Sequence, residues 1–156
     1  MDKIHMLNRF SRRIGKKYKN NKMKINSLKL LNSDEDFSKF VDAKFDKPVE
    51  HFIFPEKFDS RRTPQSFLKK VEPVEAQNII KRERIRDNIY INYKVDIFEY
   101  PFIVYYENEY RSEKIEPFKK IEESQKFSNK LRSLGVSCLL IMIMNKDIKC
   151  EVYKKQ

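Results

Sequence analysis

The sequence predicts an α+β domain: N-terminal helices packed on a small mixed or antiparallel sheet in β-β-α-β-β order, preceded by a basic N-terminal arm. Three observations predict it. Apolar residues recur at helical spacing through the first half; after Asn88 they alternate or run unbroken; and the charge balance changes sharply at Ser33. With 156 residues, 40% hydrophobic and 13% aromatic, the chain can bury a core and is too apolar to stay disordered. Charged residues, at 37%, give that core a heavily charged shell. The expected division is an arm over 1–31, disordered or helical, and a single domain over 32–156.

The arm carries Lys3, Arg9, Arg12, Arg13, Lys16, Lys17, Lys19, Lys22, Lys24 and Lys29 against Asp2 alone. Ile4, Leu7, Phe10 and Ile14 would give a short helix one apolar side. Such a segment can lie along phosphates, act as an import segment or stay solvated. On the first reading Arg9, Arg12, Arg13, Lys16, Lys17 and Lys19 are the phosphate contacts.

Ser33 followed by Asp34, Glu35 and Asp36 is an N-cap with an acidic first turn, and Phe37, Phe40, Val41 and Phe45 carry a helix over about 34–45. Pro48 and Pro55 bracket VEHFIF, an extended piece. DSRRTP at 59–64 reads as a loop exposing Arg61 and Arg62, which join the nucleic-acid-binding candidates. Helices are expected from 64 to about 71 and from 73 to about 87. The second carries KRERIR at 81–86, whose alternating charge predicts a solvated face.

From Asn88 the period becomes two. Ile89, Ile91, Tyr93, Val95 and Ile97 point one way, and Asn92, Lys94 and Asp96 the other, predicting a half-buried strand. Phe102 to Glu109 is its expected hairpin partner across a turn at Tyr100-Pro101. Pro117 opens a helix striped by Phe118, Ile121, Phe127, Leu131 and Leu134 and stopped at Gly135. VSCLLIMIM at 136–144 reads as a central strand covered on both faces, and IKCEVY at 148–153 as an edge strand.

Composition excludes several chemistries. Gly15 and Gly135 are the only glycines, so no glycine-rich loop can cradle a phosphate. Cys138 and Cys150, with only His5 and His51 elsewhere, cannot build a standard zinc set; unpaired cysteines point to a reducing intracellular compartment, whether cytoplasm, nucleoid or mitochondrion. No apolar run approaches the roughly 20 residues of a membrane helix, so no membrane span is expected. A net charge of +11 favours nucleic acid as partner. Abundant Lys, Asn and Ile with Ala only at Ala43 and Ala76 is also what an AT-rich genome encodes, so part of the charge is ascribed to codon usage.

The expected hairpin would gather Asp96, Glu107 and Glu109 on one side of a sheet, the donor set a hard cation takes. An Asp on one strand, an acidic pair on the next, a helix and an apolar strand entered through Gly135-Val136 resemble, over residues 95–144, the core of the PD-(D/E)xK nucleases. That resemblance implies Mg²⁺ or Mn²⁺ on Asp96, Glu107 and Glu109, metal-activated water attacking a phosphodiester, and a further Glu from an upstream helix, Glu75 or Glu83. On the other reading the same carboxylates pair with Lys94, Arg111 and Lys114 across the strands. Tyr90, Tyr93, Tyr100, Tyr105, Tyr106 and Tyr110 crowd the same region, where exposed rings would stack single-stranded bases.

The reading carried forward is a small basic nucleic-acid-binding protein of DNA or RNA, without catalytic residues, metal or cofactor, acting alone or within a nucleoprotein complex. A divalent-metal nuclease on the three carboxylates is the alternative. An interaction subunit of a larger assembly, with protein partners, is the second alternative.

Overall fold

Four strands, each six residues long, make one antiparallel sheet, and helices cover both of its faces. The computed structural model describes residues 28, 31–49, 62–108, 110, 112–145 and 147–155.

Helix α1 (Asp34–Phe45) starts where the sequence places it. Ser33 Oγ accepts the Asp36 N–H at 3.1 Å, three acids sit at the positive end of the helix dipole, and Phe37, Val41 and Phe45 bury one face. After a single turn, α2 (Gln65–Leu68), Pro73 opens the long α3 (Pro73–Tyr93). Strands β1 (Phe102–Glu107) and β2 (Glu113–Phe118) form a hairpin, α4 (Ile121–Ser133) crosses the sheet, and β3 (Cys138–Ile143) and β4 (Ile148–Tyr153) form a second hairpin. The order in the sheet is β2-β1-β3-β4, so α4 carries the chain past β1 from one edge to a central position.

The mixed α+β class holds, but the residues that build it differ from expectation at two places. The segment expected as the first strand is the last turns of α3: Ile85, Ile89 and Tyr93 recur every four residues and pack into the core, a helical spacing concealed by the alternation of β-branched residues. The segment expected to open a helix at Pro117 is strand β2. There Pro117, lacking an N–H, sits on an edge where no donor is needed, opposite Ile103.

The core has two halves. Under α1 and α3 lie Phe37, Val41, Phe45, Ile85, Ile89 and Ile97 against Ile103, Tyr105, Leu139 and Ile141 of the sheet. Under α4, Phe127 and Leu131 pack on Val104, Cys138, Leu140 and Met142. Every residue of β3 is buried, as a strand covered on both faces requires. Leu28 is 2% exposed and Leu31 packs beside it in the first half, so this core takes in side chains from the segment expected as arm.

Helix α4 approaches the sheet through two serines, Ser124 and Ser128, both without solvent exposure. Their hydroxyls donate to Ile121 O at 2.7 Å and Ser124 O at 2.8 Å, so burial leaves neither unsatisfied. Leu134, expected on the apolar stripe, lies past the helix end and is 68% exposed. Cys138 and Cys150 are free and belong to opposite faces of the sheet; burial pushes their thiols up to about 11 and about 12, so neither is a ready nucleophile. No helix among the described residues is long and apolar enough to cross a membrane.

Candidate functional site

Glu107 and Glu113 face each other across β1 and β2, which sets their side chains on the same face of the sheet as Tyr105. That face is the one covered by α1 and α3. Lys44 of α1 reaches in, its ammonium ion-paired with Glu113 Oε1 and donating to Tyr105 Oη at 3.1 Å. Tyr93 of α3 donates its hydroxyl to Glu113 Oε2 at 2.9 Å. The Lys44 ammonium also stands 5.1 Å from the Tyr105 ring centroid and 5.6 Å from that of Phe40, within cation–π range.

The electrostatics of this cluster fix its chemistry. Burial, then the negative charge of Glu113, raises both the Tyr93 and Tyr105 phenols well above the ordinary tyrosine range, so neither yields a proton near neutral pH. Burial alone would raise the Glu113 carboxyl, but the Lys44 hydrogen bond and charge, helped by the phenols, outweigh it, and the carboxyl titrates below its usual range. The result is a locked ion pair with two neutral phenols. It can hold α1 and α3 to the sheet; it offers neither a nucleophile nor a base poised near neutrality.

Asp96 is not part of this cluster. It lies in the loop between α3 and β1, where Oδ1 accepts the Phe98 N–H at 3.0 Å and pairs with Arg86 Nε at 3.7 Å. The hairpin that would have set it beside Glu107 is replaced by a helix and a loop, and Glu109 lies outside the described residues. Among the described residues no three His, Cys, Asp or Glu side chains gather as a metal-binding group. Glu83 is engaged structurally, its Oε1 accepting the Thr63 N–H at 2.6 Å.

The KRERIR segment is not a solvated face. Lys81 pairs with Asp42 at 2.5 Å and Arg84 with Asp46 at 3.8 Å, which ties α3 to α1. Arg82 and Arg86 place their guanidinium carbons 4.9 Å and 4.4 Å from the Phe98 ring centroid, and Arg86 has no solvent exposure. Arg62 is held as well: its NH2 group lies 2.6 Å from Asp87 Oδ2, which is itself buried. Arg61, Arg9, Arg12, Arg13, Lys16, Lys17 and Lys19 lie outside the described residues.

The tyrosines do not form an exposed platform, because helices cover both faces of the sheet. Tyr105 is fully buried, Tyr93 bonds Glu113, Tyr106 packs 6.0 Å from Phe127, and Lys119 sits 5.4 Å over Tyr100. Of the six, Tyr110 alone stands well out in solvent, at 47% exposure.

The excess of basic over acidic residues lies elsewhere in the sequence. Residues 1–31 hold ten of the 34 Lys and Arg but one of the 23 Asp and Glu, leaving 24 basic against 22 acidic residues in 32–156. The net charge of +11 is thus +9 on the N-terminal segment and +2 on the rest. No protein-family model, curated protein or solved structure matches the chain.

Proposed function

We propose that this protein binds nucleic acid through its basic N-terminal segment, without catalysis, as a free binder or within a nucleoprotein complex. The observation that supports this reading is the segregation of charge: +9 on residues 1–31 against +2 on the remaining 125. Codon bias can account for the lysines, 17 of 24 of which lie in 32–156, but not for the near absence of acids from residues 1–31, one against 22 in the rest. A string of cations with one acid neutralises successive phosphates and releases their counterions, which is a large part of the free energy of nonspecific association. The polar groups of the folded part serve packing, as the Lys44–Glu113 and Arg62–Asp87 pairs do.

A titration with labelled DNA and RNA, single-stranded and duplex, tests it. Affinity should fall steeply between about 50 and 200 mM salt, and a chain lacking residues 1–26 should lose most of that dependence. An absence of binding at low salt, or affinity that ignores salt, would sink the proposal and favour an interaction subunit.

A further inference from the structure

Three of the four cations in KRERIR have a carboxylate: Lys81 pairs with Asp42, Arg84 with Asp46 and Arg86 with Asp96. Arg82 has none among the described residues. Its Nη1 reaches Asn145 O at 3.4 Å and Asn145 Oδ1 at 3.5 Å, the outer limit of a hydrogen bond, and its buried Nε meets no acceptor. The Phe98 ring, 4.9 Å from the guanidinium carbon, attracts the cation without neutralising it.

This half-buried guanidinium lines a cavity of about 430 Å³ framed by α3, the loop before β1 and the β3–β4 turn. The other walls are mostly apolar, among them Phe98, Phe102, Ile143 and Met144, and Asn145 is the second polar residue. The Ile143 N–H donates to Pro101 O at 2.8 Å and the Met144 N–H to Asp147 O at 2.9 Å, so hydrogen bonds hold the frame. Phe102 has no ring or cation partner among the described residues, and Met144 is 43% exposed. Such a volume, with apolar walls and a few polar groups, is the make-up of a small-ligand site. A recess of about 120 Å³ shares Arg82, Met144 and Asn145 with the cavity and is also lined by Asp147. That acid forms no ion pair with Arg82 and repels an anion from the recess towards the larger cavity.

Resting on the proposed nucleic-acid binding, we infer that the cavity takes one nucleotide of a single strand, its unpaired base against Phe102 and Met144 and its phosphate on Arg82. One uncommitted cation matches the single negative charge of a phosphodiester. A flat body with a polar edge matches apolar walls interrupted by Asn145. A base within a duplex is stacked and cannot enter, so the folded domain adds a preference for single strands to the sequence-indifferent attraction of the basic segment.

The experiment titrates full-length protein with a labelled single strand and with the matched duplex. Arg82→Gln should weaken single-strand binding about tenfold and lower its salt slope by about 0.7, with duplex binding little changed; thermal melting checks that the variant is folded. Met144→Glu, at an exposed position, brings a carboxylate to the cavity and should weaken single-strand binding to a similar extent. Lys130→Gln, an exposed cation of α4 outside the cavity lining, measures the cost of losing one charge anywhere on the surface. Adenosine 5′-monophosphate should compete with the single strand on wild-type protein, and benzoate should not. Single-strand losses no larger than that of Lys130→Gln, or equal losses on the duplex, overturn the inference while binding by the basic segment stands. Competition by benzoate overturns the nucleotide in favour of an aromatic acid. Adenosine 5′-monophosphate binding that Arg82→Gln abolishes, with strand affinity untouched, overturns the strand in favour of a free nucleotide. Wild-type protein that binds neither single strand nor duplex at low salt overturns the inference and the proposed function together.

Discussion

Arg86 Nε lies 3.7 Å from Asp96 Oδ1, with Arg86 entirely shielded from solvent. This pair closes the loop by which the chain leaves α3 and turns back towards β1. Asp96 also accepts the Phe98 N–H, and the Phe98 ring lies against the guanidinium groups of Arg86 and Arg82. A carboxylate that would have been a metal ligand on a hairpin is here the counter-ion of a buried cation.

Removing one member of such a pair strands the other. Arg86→Met should therefore destabilise the domain by about 2–4 kcal/mol in denaturant unfolding, slightly below the usual cost because Asp96 keeps some contact with water. A double-mutant cycle with Asp96→Asn should return a coupling of about 1–3 kcal/mol. Additive single and double losses would mean that the two residues act independently.

Arg62 was a candidate phosphate contact by its place in an exposed loop, and its geometry assigns it a stabilising role that can be tested by pH. Burial raises the Asp87 carboxyl above its ordinary range even though Arg62 bonds to it. A carboxyl raised in the folded state contributes stability that is present below its unfolded pKa and lost as pH rises through the folded value. Arg62→Ala raises it further. The variant should lose about 1–3 kcal/mol at pH 7, an estimate held low because Arg62 is itself about a third exposed. Its melting temperature should recover towards wild type as pH falls towards about 4. A loss in salt-dependent nucleic-acid affinity with no change in melting would restore Arg62 as a phosphate contact.

These two pairs show where the sequence was legible and where it was not. Helix α1 could be read because its signals are local: a Ser cap, an acidic first turn and Phe37, Val41 and Phe45 on one face. Strand β3 could be read because nothing but a doubly covered strand suits so unbroken an apolar run of six buried residues. The end of α3 carries no such mark. Its C-cap, Lys94, adopts a left-handed φ of 59° that glycine or asparagine would normally signal, and β-branched isoleucines before it imitate a strand. The partners Arg62–Asp87 and Lys44–Glu113 are set by the tertiary packing of separate elements, which no local pattern encodes.

The Lys44–Glu113 pair has the opposite pH signature to Asp87. The Glu113 carboxyl is lowered in the folded state, so its contribution is present above the ordinary glutamate value near 4.3 and lost as pH falls through the lower folded one. Glu113→Gln should cost about 1–3 kcal/mol at pH 7, because Lys44 keeps a neutral acceptor but loses its counter-ion. The gap between wild type and variant should close below about pH 4. A gap that stays constant with pH would show that Glu113 contributes by shape alone.

The boundary between basic segment and domain gives the last test. Leu28 is 2% exposed in the core beneath α1 and α3, Leu31 packs beside it, and their carbonyls accept from Lys154, which also lies 5.4 Å over the Phe37 ring. A chain starting at residue 27 keeps all of this; one starting at residue 32 opens a cavity and leaves Lys154 without its acceptors. The shorter deletion should melt cooperatively near the wild-type temperature. The longer should lose at least the about 2–5 kcal/mol that emptying a buried leucine site costs, and Leu28→Ala alone should reproduce much of it. If both deletions melt like the full chain, Leu28 adds nothing to the core and the folded unit begins at Ser33.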